Sequence, residues 1–119
     1  MHFLRRLFRE QPPAPAIAPA EAFARLASPS PPFVLDVRQP IEFQVERLAG
    51  SLSMPLGEVG RRMSELPRDR EILCVCLSGH RSEPAVRQLR AAGLKAVGLA
   101  GGLMAWHLAG LPTEKGTPH

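Results

Sequence analysis

Tyrosine is absent from this 119-residue chain, lysine occurs only at Lys95 and Lys115, and cysteine only at Cys74 and Cys76. Each shortage excludes something. With aromatics at 5%, few rings are available for bases to stack on, and the arginines are scattered rather than interleaved with rings. A nucleic-acid partner is therefore not expected, and the net charge of +4 reads as surface composition. Two cysteines make no disulfide framework, and neighbours on one face of a strand rarely reach disulfide geometry. His2, His80, His107 and His119 lie too far apart in sequence for zinc-ligand spacing, so no metal is expected. No apolar run approaches the roughly 20 residues that span a bilayer. The opening "MHFLRRLFRE" has charge but no apolar region after it, unlike a secretory leader, so a reducing, cytoplasmic setting is expected. Phe3, Leu4, Leu7 and Phe8 fit one side of a short helix opposite Arg5, Arg6 and Arg9. One such helix is a weak anchor, so membrane contact by residues 1–10 is not expected. Much Arg, Ala and Pro with little Lys fits a GC-rich bacterial genome.

What is present is enough for one core, since 45% of the residues are apolar. Residues 1–18 read as a basic segment followed by a Pro/Ala-rich linker, "QPPAPAIAPA". A folded domain is expected over 19–113, and a tail over 114–119. Within the domain, helical and extended patterns alternate. "AEAFARLA" is a helix, "PPFVLDV" a strand, and "QPIEFQVERL" a helix opened by Pro40. "GSLSMPL" is a short strand, and "LGEVGRRMSEL" a helix stopped by Pro67. "REILCVC" is continuously apolar after Glu71, as expected of a strand covered on both faces. "SEPAVRQLRAAG" is a helix with Ser82 as N-cap and Gly93 as stop; "KAVGLAGG" is a strand and "LMAWHLAGLP" a closing helix. Such alternation predicts an α/β fold with a central, mostly parallel sheet flanked by helices on both faces.

In sheets of this kind ligands bind beyond the carboxyl ends of the strands, and there the chain reads "CLSGHR", residues 76–81. Gly79 lets successive N–H groups turn inward, and the helix that follows adds its own unpaired N–H groups. A thiolate at Cys76 is stabilised by such a cradle, as is any anion the sulfur comes to carry. From the loop alone, Cys76 reads equally well as a buried strand-end thiol, whereas Cys74 reads as core.

Four blocks in order weigh for the nucleophile: "LDVRQPIEF" at 35–43, "LAGSLSMPL" at 48–56, "CLSGHRS" at 76–82 and "LAGGLMAWHLAGLP" at 99–112. Together they resemble the rhodanese-like domain family, in its single-domain form, over about residues 19–112. The resemblance implies sulfur transfer with Cys76 as the catalytic cysteine and Leu77, Ser78, Gly79, His80 and Arg81 as the cradle for its persulfide. It implies a small-molecule sulfur donor, thiosulfate or a low-molecular-weight persulfide, and a cyanide or thiol acceptor, which in a persulfide carrier is a protein. No cofactor is implied. Asp36 matches a family acid near the loop and is expected to pair with Arg81 as a buried ion pair. Arg38 is expected to pair with Glu42 four residues on, and Trp106 to be core. The chain departs from the family where Arg47 replaces a frequent His and where Leu77 brings no charge, which points to poor use of thiosulfate. A phosphatase-type loop has five residues between Cys and Arg; Leu77 to His80 are four, too tight for a tetrahedral oxyanion. A non-catalytic binding module is the other alternative.

Overall fold

A computed structural model describes residues 12–116. The amphipathic reading of residues 1–10 lies outside them. These residues form seven strands: β1 (Ala16–Ile17), β2 (Phe33–Asp36), β3 (Glu46–Arg47), β4 (Leu52–Ser53), β5 (Glu71–Val75), β6 (Lys95–Leu99) and β7 (Glu114–Lys115). Five helices join them: α1 (Pro19–Leu26), α2 (Pro40–Val45), α3 (Val59–Arg62), α4 (Ser82–Ala91) and α5 (Gly102–Leu108). The expected α/β architecture is present, with a five-stranded sheet in the order β1-β6-β5-β2-β4, parallel throughout.

Side-chain alternation along the strands divides the apolar residues between two faces. Ile72, Cys74 and Cys76 join Leu35, Val37 and Ala96 beneath α3 and α4, which contribute Val59, Val86 and Leu89. Leu73 and Val75 join Val34 and Leu99 beneath α1 and α5, where Ala22, Leu103 and Trp106 pack. β5 is therefore buried on both sides, which is why its sequence shows no polar alternation. Each large side chain enclosed this way contributes roughly 1.5–3 kcal/mol. Trp106 is core as expected, and its indole N–H donates to the Pro112 carbonyl at 2.9 Å.

Two segments read as lying outside the domain are joined to it. Within the Pro-rich stretch, Ala16 and Ile17 pair with Gly98 and Leu99, because this one apolar residue between prolines finds a partly open strand edge. Glu114 and Lys115 pair antiparallel with Arg47 and Glu46. Arg47 is buried and explains the tie: its guanidinium donates to the carbonyls of Phe43 at 3.0 Å and Gly116 at 2.6 Å. The helix expected over 56–66 is broken into a short α3 between 3₁₀ turns at Leu56–Glu58 and Met63–Glu65. Gly57 and Gly60 weaken its α-helical propensity.

β2 leads away towards β4 on one side, while β5 leads away towards β6 on the other. The crevice between their carboxyl ends is the topological switch point of the sheet, the usual ligand position in this architecture.

Candidate active site

Cys76 is the first residue beyond β5, so it stands at that switch point, beside Val37 and Arg38 that follow β2. The next residues turn back over it. The carbonyls of Cys76 and Leu77 accept from the first N–H groups of α5, Leu103 and Met104, both at 2.9 Å. Gly102 makes this approach possible: a Cβ there would lie 2.5 Å from both carbonyl oxygens. Gly79, at φ +98°, then reverses the chain so that its N–H meets the sulfur at 3.0 Å. The Ser82 N–H reaches it at 3.3 Å from the first turn of α4.

Only part of the expected cradle touches the sulfur. Among the described residues, the N–H groups of Gly79 and Ser82 point at Cys76 Sγ, and the Ser82 hydroxyl lies 3.6 Å from it. Leu77, Ser78 and His80 are exposed, and His80 Nδ1 is held 2.9 Å from the Ser78 hydroxyl. Ser82 is not the N-cap. Arg81 occupies that position, and the Ser82 hydroxyl instead donates to the Gly79 carbonyl at 3.0 Å, closing the loop on itself. Cys76 is fully buried.

The ion pairs differ from those expected. Asp36 does not pair with Arg81, nor Arg38 with Glu42. Asp36 and Arg38, both buried, bind each other, with Nη2 at 2.7 Å and Nε at 2.9 Å, and Arg38 also donates to the Glu46 carbonyl. Residues i and i+2 meet here because the strand ends at Asp36 and the chain bends, while the Asp36 carboxylate accepts the Arg38 N–H as well. Arg81 reaches across to Glu42 in a two-pronged contact at 2.6 and 2.9 Å. Hydrogen bonding from Arg81 lowers the Glu42 carboxyl to about 2. The pair ties the loop to α2. Glu42 was missed as a partner of the loop, and no spacing in the sequence links positions 39 residues apart. The doublet Gly101–Gly102 ahead of a helix was the readable sign of a close approach there.

Burial, and then the neighbouring Cys76, pushes the Cys74 thiol up to about 12. It stays a thiol and acts as core. No group of three or more metal-ligating side chains occurs among the described residues. No helix among them is long and apolar enough to cross a membrane.

The fold and site thus define an α/β protein with a parallel sheet that places a cysteine, enclosed by a loop of inward N–H groups, at its switch point. The rhodanese-like domain model matches residues 18–109, and the chain belongs to that family. A sulfurtransferase of Allochromatium vinosum is 36% identical over 89 residues, covering 74% of this chain and 83% of that protein. An HTH-type transcriptional regulator of Mycobacterium tuberculosis is 35% identical over 108 residues; the match covers 89% of this chain but 47% of the regulator, so the chain spans about half that relative's length. The crystal structure of a rhodanese-related protein from Thermoplasma volcanium superposes with a TM-score of 0.78 at 31% identity, over 84% of this chain and 97% of that one.

Proposed function

We propose that the chain is a sulfurtransferase that carries a sulfane sulfur on Cys76. The observation that supports this most is the sulfur itself, held at the switch point with the N–H groups of Gly79 and Ser82 aimed at it. In the first step the Cys76 thiolate attacks the outer sulfur of the donor, thiosulfate or a low-molecular-weight persulfide. A new Sγ–S bond forms as the donor's S–S bond breaks, and its electron pair leaves with sulfite or with the donor thiolate. In the second step cyanide or a thiolate attacks the outer sulfur of the Cys76 persulfide, and the electron pair of the broken bond returns to Sγ. Two displacements through one covalent intermediate give ping-pong kinetics. The loop's N–H groups stabilise the anion at each stage without needing to reorganise. Leu77, Ser78, Gly79, His80 and Arg81 are assigned to the persulfide loop. Asp36, Arg38 and Ser82 support it from behind.

A second reading, delivery of the sulfur to a protein, draws support from the exposed apolar side chains of Leu77, Ile41 and Val45 on a groove of about 310 Å³ beside the loop.

The test is intact-protein mass spectrometry after incubation with thiosulfate and, separately, with glutathione persulfide. The expected result is a gain of one sulfur that maps to Cys76 and is lost on adding cyanide. Folded, reduced protein that gains no sulfur from either donor would refute the assignment and favour a binding module.

A further inference from the structure

At the end of the sheet opposite Cys76 lies a cavity of about 500 Å³. It is bordered by Phe33, the first residue of β2, and by Arg70, the residue before β5. At about 3.3 Å per strand residue, Arg70 and Cys76 at the two ends of β5 lie about 20 Å apart. Sulfur transfer at Cys76 therefore uses nothing from this cavity.

Its walls are aromatic and stiff. Phe23 and Trp106 both line it and meet edge to face, with ring centroids 5.9 Å apart. Phe23 stays 42% exposed although it packs on the core tryptophan, because its other side borders open space. Pro31, Pro32 and Pro112 add surface whose backbone is fixed by the proline rings.

Arg70 is the one ionisable side chain in the lining. Its Nε at 3.3 Å and Nη2 at 3.0 Å both donate to the Pro31 carbonyl, and its guanidinium carbon stands 5.7 Å from the centre of the Phe33 ring. An arginine carries five N–H donors, so these contacts orient the group and leave donors to spare. Among the described residues no carboxylate pairs with it. Asp69 forms no ion pair there, and Glu71 is bound to Arg25 at 2.6 Å. An apolar cavity of this size with one oriented polar group is the common form of a small-molecule site. The guanidinium fork matches a carboxylate, and a cationic ligand would be opposed by it.

We infer that this cavity binds a small monocarboxylate with an apolar, ring-sized body, the body against Phe23, Trp106 and the prolines and the carboxylate on Arg70. The binding is non-covalent, and it stands or falls separately from sulfur transfer at Cys76.

The probe is phenylbutanoate, and Trp106, the chain's only tryptophan, reports binding through its emission. Titration of the full chain is expected to saturate with a Kd below about 1 mM, as fits a ligand of about a dozen non-hydrogen atoms. Phenylbutanamide, of the same shape without the charge, is expected to bind at least about threefold more weakly at low salt, with the gap narrowing as salt is added. Arg70→Glu weakens binding of the acid at least about tenfold and moves the amide less than about twofold. Arg68→Glu makes the same change in net charge outside the lining and shifts the acid less than about twofold. Ala49→Phe, which fills the cavity, weakens both ligands at least about fivefold. No saturable change in emission up to about 10 mM overturns the inference, as does equal binding of acid and amide by the wild type. Equal losses in Arg70→Glu and Arg68→Glu overturn it too, since net charge alone then accounts for them. If Arg70→Glu does not fold, the comparison of acid and amide on the wild type decides. Self-association of the chain that Phe23→Ala abolishes, without ligand binding, overturns it in favour of a contact between copies.

Discussion

Replacing Gly102 with alanine perturbs the loop from outside it. Gly102 sits at φ +61°, and its added Cβ would lie 2.5 Å from the carbonyl oxygens of Cys76 and Leu77. Those oxygens belong to the backbone and cannot rotate away. The contact must open to about 3.5 Å, so the turn after β5 moves by about 1 Å. An L-residue in this backbone region costs roughly 1–2 kcal/mol. Weakening the bonds from Leu103 and Met104 to the same carbonyls costs up to about 1 kcal/mol each. The expected destabilisation is therefore about 3 kcal/mol. Gly110→Ala is the matched control, because Gly110 has φ +71° and nothing near its added Cβ. It carries only the backbone cost of roughly 1–2 kcal/mol. Urea unfolding of both variants isolates the close approach as their difference. A loop displaced by about 1 Å is also expected to lower sulfur loading at Cys76 about 10–100-fold in the first variant and not in the second. Equal unfolding free energies, within about 0.5 kcal/mol, would refute the argument that this glycine exists to let α5 bind the loop's carbonyls.

Cys76→Ser is expected to abolish the mass gain with either donor while unfolding within about 1 kcal/mol of the wild type, since a hydroxyl can accept the same two N–H groups. Cys74→Ala keeps most of the loading, because a thiol held at about 12 takes no part in it. Cys74→Ser costs more stability, about 1–3 kcal/mol, by placing a hydroxyl in an apolar core; parallel melts and loading assays test both. Asp36→Ala leaves the buried Arg38 guanidinium without its carboxylate and is expected to cost about 3–5 kcal/mol, read by urea denaturation. For Glu42 the carboxyl is lower in the folded state, about 2 against 4.5. Its contribution is complete above about pH 4.5 and fades as pH falls towards 2. Because the pair is partly exposed, about 1 kcal/mol is expected at neutral pH. The stability gap between wild type and Glu42→Gln should shrink from pH 6 to pH 3, and a gap that widens would contradict the sign.

Much of the frame was legible because it follows from local pattern. The unbroken apolar run at 72–75 signals a strand enclosed on both faces, and Pro40 and Gly93 mark where helices begin and end. Placing Cys76 beyond the carboxyl end of a central strand needed nothing further. The ion pairs were not legible. Asp36, Arg38, Glu42 and Arg81 are two acids and two arginines, and which acid meets which arginine depends on how the chain bends after β2. Composition also misled at 11–20, where proline signals an unpaired segment. A two-residue strand needs only one apolar side chain and an edge to lie against, and no window of sequence announces an edge. Ser82 has the side chain of an N-cap, yet tertiary position decides its role, with the Gly79 carbonyl within reach.

The two-residue β1 also has a consequence for the edge of the sheet. It covers the Gly98–Leu99 half of β6, whose residues are otherwise small or apolar and whose backbone would be free to pair. A chain begun at residue 19 would keep the Cys76 loop but would lose Ile17 from the core and leave that edge bare. An exposed apolar strand edge templates pairing with its equal in another molecule. The short Pro-flanked strand thus keeps this parallel sheet from adding strands between molecules, and the prolines on either side, having no N–H to donate, keep β1 itself from becoming the next template.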